Sequence, residues 1–352
     1  MNVQTIVLAG GEGTRLRPLT EGLPKPLVPL LDEPVAGYVL QLLRRHGVRE
    51  ATMTLRSGAE QVKAAFGDGS GYSVDLSYAE EDMPLGTAGS VKAAAVGERT
   101  LLVISGDIVT DCDLSTMYAS HRASGALATI ALAEVEDTAR YGLCKMDEGG
   151  YIRRFIEKPG QDAPRHGWVN AGIYFLEPQV LKRIPPDTFW DFGRDVFPRM
   201  AAEGLLHGFP LSGYWQDIGT LAGYAQGQTD LLMGRVGLAV RGRRVGRAMI
   251  GKGAQVDARA KITGRCFIGE HASVGPGVTL GEGAVLCRGV CVNGSVRVEH
   301  ACLWPDAHVE GVAALRHVVI LPRHGHCELE RIAPYPAAEK PIEAKTTMKK
   351  EG

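Results

Sequence analysis

The chain has 352 residues, with 39 basic and 40 acidic side chains and a formal net charge of -1. That length suits two domains better than one, and the balanced charge gives no general attraction for nucleic acid or an anionic membrane, so neither is expected as a partner. No apolar run approaches the about 18 residues of a membrane span. The first strand-like segment begins almost at once, without the basic and apolar stretches of a secretory signal. The seven cysteines are odd in number and include no Cys-x-x-Cys pair, which predicts reduced thiols and a cytoplasmic location.

Residues 3–9 form a short apolar run that ends in Gly10-Gly11, the pattern of a buried parallel strand feeding a glycine turn. Residues 35–46 place Val35, Val39, Leu42 and Leu43 on one helical face, with Gly47 as the C-cap. Further β-type runs fall at 50–55, 74–78, 101–105 and 126–132, and helical stretches at 59–66, 87–95 and 114–124 lie between them. This alternation predicts an α/β domain with a mostly parallel sheet, whose ligands bind beyond the carboxyl ends of the strands.

From Ile250 the pattern changes. Ile250, Val256, Ile262, Ile268, Val274, Leu280, Leu286, Val292, Val298 and Trp304 recur every six residues, with a mostly small residue four positions after each. Such a repeat predicts a β-helix in which each short strand buries one aliphatic side chain and turns sharply, three hexads making one coil. Glu310 and Arg316 break the pattern, so the regular solenoid is expected to end there. The predicted organisation is a catalytic domain at 1–234, a linker at 235–249, a β-helix domain at 250–325 and a mobile tail at 326–352.

The strongest chemical signal follows the first strand: Gly10-Gly11-Glu12-Gly13-Thr14-Arg15-Leu16-Arg17-Pro18-Leu19-Thr20, then Pro24-Lys25-Pro26. Glycines let the backbone approach a polyphosphate and aim N–H groups at it. Arg15 adds a planar donor fork for phosphate oxygens, and Lys25 a compact charge on a stretch stiffened by two prolines. Neither a Walker-A loop nor a Gly-x-Gly-x-x-Gly fingerprint is present. Ile104-Ser105-Gly106-Asp107 ends an apolar strand with an acid well placed to hold a metal, while Asp111 and Asp113 read as a turn and a helix cap.

On these motifs the chain resembles the sugar-1-phosphate nucleotidyltransferases over about residues 1–320, and most closely the mannose-1-phosphate guanylyltransferase branch with a left-handed β-helix. The resemblance implies a Rossmann-like nucleotidyltransferase domain followed by that β-helix. It implies a nucleotide site at Leu8, Ala9, Gly10, Gly11, Gly13, Thr14, Arg15 and Lys25, continued by Leu85-Gly86-Thr87-Ala88-Gly89-Ser90. Gly86 and Thr87 then lie near the base, with Glu80 or Glu81 at its edge, where a carboxylate accepting two guanine N–H donors favours GTP. Asp217, in Tyr214-Trp215-Gln216-Asp217, joins Asp107 as the second ligand of Mg²⁺, which prefers oxygen donors. Glu157-Lys158-Pro159, Asn170 and Gly172 in Val169-Asn170-Ala171-Gly172, and Gly142 after Tyr141 form the sugar-phosphate site.

The implied reaction joins a nucleoside triphosphate to a sugar 1-phosphate, mannose 1-phosphate being favoured, and releases pyrophosphate. Arg15, Lys25, Asp107, Lys158 and Asp217 carry the catalysis by positioning and charge stabilisation. Alternatives of the same class are glucose-1-phosphate thymidylyl, uridylyl or adenylyl transfer and heptose-1-phosphate guanylyl transfer. A non-catalytic nucleotide-sugar-sensing subunit is the alternative from another class, and the flat solenoid faces predict a homo-oligomer. An acyltransferase role for the solenoid would need a base such as His271, His300 or His308. His324-Gly325-His326-Cys327 lacks a second ligand pair for a metal, and Arg241, Arg243, Arg244 and Arg247 form a basic cluster read as a solvated face. Trp190, Phe192, Phe155 and Phe175 are expected in the core.

Overall fold

The computed structural model describes residues 1–323 and the strand His326–Arg331. They group into two compact units: Met1–Gly13, Gly22–Leu27 and Val35–Asp217 in the first, and Thr14–Glu21, Val28–Pro34 and the chain from Ile218 onward in the second.

The first unit is built on a nine-stranded sheet. Leu101–Ser105, Gln4–Leu8, Glu50–Leu55 and Asp75–Glu80 lie side by side and parallel. Gly167–Leu176 then pairs antiparallel with Leu101–Ser105 and leads to Gly142–Met146 and Ile152–Glu157. Ala128–Val135 pairs with Gly167–Leu176 and with Leu206–Pro210. The sheet is thus parallel where the chain begins and antiparallel where the sugar-type motifs lie. Ile6, Val7, Leu102, Val103 and Ile104 are completely buried, which is why their strands read as unbroken apolar runs rather than as alternation. Strand order reverses between Gln4–Leu8 and Leu101–Ser105, and a crevice opens beyond the carboxyl ends at such a reversal.

The helices fall where periodicity put them: Val35–Arg45, Ala59–Phe66, Gly86–Ala94 and Leu114–Ser124. Asp113 caps the last of these, its carboxylate accepting from the N–H groups of Ser115 and Thr116 at 3.0 Å each. Phe155, Phe175 and Phe192 are core residues, as expected. Phe192 opens a π-helical turn, Phe192–Val196, that runs into the short helix Phe197–Ala202, and it stacks on Phe197 with ring centroids 5.2 Å apart. The six described cysteines are free, and burial pushes the thiols of Cys112 and Cys266 up to about 12.

The second unit contains a three-faced parallel β-helix with the geometry of the left-handed hexapeptide solenoids. Ile250 stacks on Ile268 and Ile268 on Leu286, while Val256, Val274 and Val292 form a second column and Ile262, Leu280 and Val298 a third. Each coil therefore takes 18 residues up to Val298. The following coil takes 17, because Leu286 pairs with Leu303, Val292 with Val309 and Val298 with Leu315. One residue is missing from the segment that joins Val298 to Leu303.

This slip corrects two expectations. The tenth inward position belongs to Leu303, which is completely buried, and not to Trp304. Glu310 and Arg316 do not end the solenoid. They sit exposed one residue after the buried Val309 and Leu315, and parallel stacking continues through Val318–Arg323. His326–Arg331 then pairs antiparallel with that last rung, and Arg243–Val245 pairs antiparallel with the first rung, Ala248–Ile250. Residues 332–352 of the expected tail lie outside the described residues, as do His324 and Gly325 and the side chains of His326 and Cys327. His271 and His300 occupy left-handed coil corners with φ of 57° and 45°.

The helix Leu221–Met233 groups with this second unit. Its Tyr224 hydroxyl is fully buried, donates to the Pro29 carbonyl at 3.0 Å, and accepts from Trp304 Nε1 at 2.9 Å and Gln228 Nε2 at 3.0 Å. Gln228 Oε1 in turn accepts from the Leu31 N–H at 2.8 Å. Asp32 accepts from the N–H groups of Glu270 and Arg288 at 3.1 and 2.5 Å, so its carboxylate holds the hairpin Val28–Pro34 against the solenoid, although burial raises its pKa. These bonds account for a fully buried tyrosine, because each of its polar contacts is met inside the unit.

The 17-residue coil predicts a ranking. Leu315→Ala should cost about 2–5 kcal/mol in urea unfolding, the usual loss for a buried leucine. Glu310→Ala should leave the midpoint unchanged, and the reverse ranking would restore the uninterrupted six-residue count.

Candidate functional site

The crevice at the strand-order reversal is closed from below by backbone. The Gly106 N–H donates to the Leu8 carbonyl at 2.8 Å, tying the ends of the two central strands together. A Cβ on Gly106 would stand 3.0 Å from that same carbonyl oxygen, so a side chain there would push the strands apart. The chain then leaves Leu8 through Ala9, Gly10 and Gly11, and Asp107 follows Gly106 at the mouth. Together with Lys25, Glu81, Gly86 and Thr87 these residues line a cleft of about 260 Å³.

Lys25 lies in the short turn Lys25–Leu27 and is buried, and its Nζ donates to Asp107 Oδ2. The strand Trp215–Asp217 pairs antiparallel with Ile108–Thr110 and sets Asp217 opposite Ile108, one residue from Asp107 across the ladder. That strand is held in place from both sides. The Tyr214 N–H donates to Asp111 Oδ1 at 2.6 Å, the Thr110 hydroxyl donates to the Tyr214 carbonyl at 2.7 Å, and Trp215 Nε1 donates to the Ala171 carbonyl at 2.8 Å. Asp111 is thus more than a turn former. No group of three or more His, Cys, Asp or Glu side chains forms a metal cage among the described residues. Asp107 lines the cleft and Asp217 lies one ladder step from it; these two carboxylates are the residues that could hold Mg²⁺, which commonly takes one or two carboxylates and completes its shell with phosphate and water.

The two neighbouring glutamates separate. Glu80 ends the strand Asp75–Glu80 and pairs with Lys63 at 2.5 Å on an exposed face. Glu81 lines the cleft, and its Oε1 is buried without a hydrogen-bond partner. Adjacent residues of a strand point to opposite faces, so the period-two rule alone implies that only one of the pair can face the cleft.

Gly86 opens the helix Gly86–Ala94 at φ 68°, and a Cβ there would lie 2.5 Å from the Trp190 carbonyl oxygen. That oxygen accepts from the N–H groups of Ala88 and Gly89 at 2.9 and 3.1 Å, while the Trp190 N–H donates to the Leu85 carbonyl at 2.8 Å. Thr87 Oγ1 donates to Asp191 Oδ2 at 2.8 Å and accepts from the Phe192 N–H at 3.0 Å. Its hydroxyl therefore locks the segment that follows Trp190.

On the antiparallel side, Glu157 pairs in register with Gly142. A Cβ on Gly142 would meet the Phe155 ring at 2.4 Å, and one on Gly193 would meet Glu157 Oε2 at 2.3 Å, so two glycines make room for this carboxylate. Burial pushes the Glu157 carboxyl up; Lys158, whose Nζ lies 3.4 Å from Oε1, partly offsets this, and Asp191 adds to it. The Lys158 side chain is 65% exposed. Asn170 donates to the Tyr174 hydroxyl at 3.0 Å and accepts from the Gly172 N–H at 2.9 Å, at a bulge in Gly167–Leu176. Gly172, at φ 77°, approaches Ser105 so closely that a Cβ would lie 2.8 Å from its Oγ.

Gly13, Thr14 and Arg15, predicted to hold the nucleotide, are not among the residues that line this cleft. Gly13 ends the first unit's opening segment at φ 65°, and Thr14 and Arg15 belong to a short turn grouped with the second unit, where Arg15 is exposed. Of the basic cluster, Arg241 pairs with the buried Glu33 at 2.7 Å and Arg247 donates to the Thr263 carbonyl at 2.6 Å. Arg56, Ser105 and Phe189 line the cleft without having been singled out. Arg56 and Phe189 lie outside any recognisable motif, whereas Ser105 belongs to the segment Ile104-Ser105-Gly106-Asp107 at a strand's carboxyl end.

A family model described as nucleotidyl transferase matches residues 4–233. The chain belongs to this family. Among the relatives of this nucleotidyl transferase, the mannose-1-phosphate guanylyltransferase of Mycobacterium tuberculosis is 34% identical over 306 residues, covering 86% of this chain and 82% of that protein. The UTP–glucose-1-phosphate uridylyltransferase of Synechocystis is 32% identical over 333 residues, covering 87% and 86%. Among solved structures, HddC from Yersinia pseudotuberculosis superposes with a TM-score of 0.58 at 26% identity, covering 65% of this chain and 99% of that one.

Gly86→Ala in this nucleotidyl transferase should be destabilising by about 1–3 kcal/mol, since it forces a side chain into a left-handed backbone against Trp190. Thermal unfolding checks this, and a wild-type midpoint would remove the close approach as a constraint.

Proposed function

We propose that this chain transfers the nucleotidyl group of a nucleoside triphosphate to a sugar 1-phosphate and releases pyrophosphate, with GTP and mannose 1-phosphate as the preferred pair. The observation that carries the reading is Asp107, which sits beyond the Gly10-Gly11 turn in contact with Lys25 and one ladder step from Asp217. Similarity to the Mycobacterium tuberculosis enzyme supports the choice of substrates.

In the proposed step a phosphate oxygen of the sugar 1-phosphate forms a bond to the α-phosphorus, and the bond from that phosphorus to pyrophosphate breaks. The attacking group is already an oxyanion, so no protein nucleophile is needed and the protein contributes position and charge. Lys25 orients the nucleotide's phosphates. Lys158, largely exposed beside Glu157, holds the sugar phosphate in line. Arg15 enters on its motif alone, as the planar donor for the transferring phosphates. Glu157, Asn170, Gly142 and Gly172 take the sugar, the carboxylate accepting from its hydroxyls. Glu81, with its unpartnered Oε1, accepts from the base. Asp107 and Asp217 would hold Mg²⁺, which when bound supplies positive charge at the reacting phosphates. The reduced thiols fit a cytoplasmic enzyme, and the flat solenoid faces fit a homo-oligomer, which sedimentation of the full chain would show or refute.

A second reading, uridylyl transfer to glucose 1-phosphate, is favoured by the similarity to the Synechocystis enzyme. A non-catalytic sensing subunit fits less well, because Arg15, Lys25, Asp107, Lys158 and Asp217 are all retained.

Pyrophosphate release measured across four nucleoside triphosphates and several sugar 1-phosphates tests the reading. GTP with mannose 1-phosphate should be fastest, and Asp107→Asn should lower that rate by at least about 100-fold in a protein that still folds. A different best pair would overturn the substrate choice and the role of Glu81, and silence across the grid would overturn the reaction. The raised Glu157 pKa gives a further expectation. KM for the sugar phosphate should rise as pH falls, with a midpoint above the ordinary glutamate value of about 4.3. Glu157→Gln should abolish that dependence, and an unchanged pH profile would remove Glu157 from the sugar site.

A further inference from the structure

Phe189 is the one aromatic side chain among the described residues that line the cleft, and it keeps 47% of its surface exposed there. Its half-exposed ring gives the cleft a flat apolar surface beside the charged side chains of Lys25, Arg56, Glu81 and Asp107. Its position is not that of a loose loop residue. The next residue, Trp190, is bonded through its N–H to Leu85 and through its carbonyl to Ala88 and Gly89, which fixes the backbone against the start of the helix Gly86–Ala94. The ring edge reaches Gly86, with Cε1 3.3 Å from where a Cβ on that glycine would stand.

The ring also has a cationic neighbour. The Arg194 guanidinium carbon lies 5.0 Å from the ring centroid. Arg194 is itself oriented by Asp195, with Nε 3.1 Å from both carboxylate oxygens and Nη2 2.9 Å from Oδ2. Asp195 Oδ2 accepts in addition from the Asp191 N–H at 2.8 Å. An ion pair thus lies against an aromatic ring that lines the cleft and keeps about half of its surface exposed. A flat apolar surface held rigidly beside hydrogen-bonding groups suits a planar heteroaromatic ring, since every nucleobase has a π-face and stacking needs no particular hydrogen-bond pattern.

We propose that Phe189 is the stacking platform for the nucleobase in this cleft, and that it favours purines over pyrimidines because a two-ring base covers more of it. The inference rests on the nucleotidyl-transfer reading above. It adds a residue that none of the chain's motifs contains.

The test compares wild type with Phe189→Ala, Phe189→Leu and Phe189→Trp. Direct binding of GTP and of UTP is measured by calorimetry, and KM for each substrate by pyrophosphate release. Phe189→Ala should weaken GTP by about 5- to 100-fold, the range for loss of one stacking partner. The loss for UTP should be smaller, and KM for the sugar 1-phosphate should change by less than about 2-fold. Phe189→Trp should restore GTP affinity, whereas Phe189→Leu, apolar but without a π-face, should not. GTP affinity unchanged in Phe189→Ala would overturn the proposal and leave the reaction standing. So would equal losses for GTP and UTP, full rescue by leucine, or a rise confined to the sugar phosphate. Nucleotide binding that weakens as expected in a chain that turns nothing over would support the platform and sink the reaction. A wild-type chain that binds no nucleotide would overturn both.

Discussion

The Gly106 N–H to Leu8 carbonyl hydrogen bond is the constraint from which the rest of the first unit can be read. It joins the carboxyl ends of two strands that are buried up to their last residue, at the place where sheet order reverses, and a Cβ on Gly106 would crowd the same Leu8 carbonyl oxygen. Because the strands beneath are apolar on both faces, their direction is set by the core and cannot adjust to a ligand. Asp107, one residue further on, inherits that rigidity, and Lys25 is brought against it from a distant part of the chain. A carboxylate and an ammonium presented on such a base are preorganised, which is what phosphoryl chemistry asks of a protein that has no covalent step of its own to perform.

A second constraint links the helix Gly86–Ala94 to Glu157. The segment from Trp190 to Gly193 lies against the first turn of the helix Gly86–Ala94 through three backbone bonds and the Thr87–Asp191 contact. It then passes Glu157 so closely that a Cβ on Gly193 would displace the Glu157 carboxylate. Gly86 and Glu157 are therefore both set by one short stretch of chain. The π-helical turn Phe192–Val196, capped by Asp191, follows directly, and such turns are frequent at functional sites.

In the second unit the hexad repeat survives a lost residue because the solenoid needs inward aliphatics in columns and not a fixed count. When one coil shortens to 17 residues, Leu303, Val309 and Leu315 still fall into their columns, and Trp304 turns instead to Tyr224. The indole N–H then meets the buried tyrosine hydroxyl that also anchors Pro29, so the displaced aromatic is not wasted as an exposed ring.

The amino-acid sequence by itself determined the α/β alternation and the solenoid, through period two or 3.6 and the six-residue repeat. Motif chemistry pointed to Gly10, Lys25 and Asp107, while Gly86, Glu157 and Asp217 entered through the resemblance to the nucleotidyltransferases. Tertiary structure alone decided the remainder. Which of Glu80 and Glu81 faces the cleft depends on how Asp75–Glu80 docks on its neighbour, and the pairing of Lys25 with Asp107 on contact between residues 82 apart. The antiparallel half of the sheet, the slip at Leu303 and the placement of Phe189 likewise arise from contacts between distant segments. The physical reason is the same in each case. A residue's propensity is written in its own side chain, but the partner it meets is chosen by packing, and packing is a property of the folded whole.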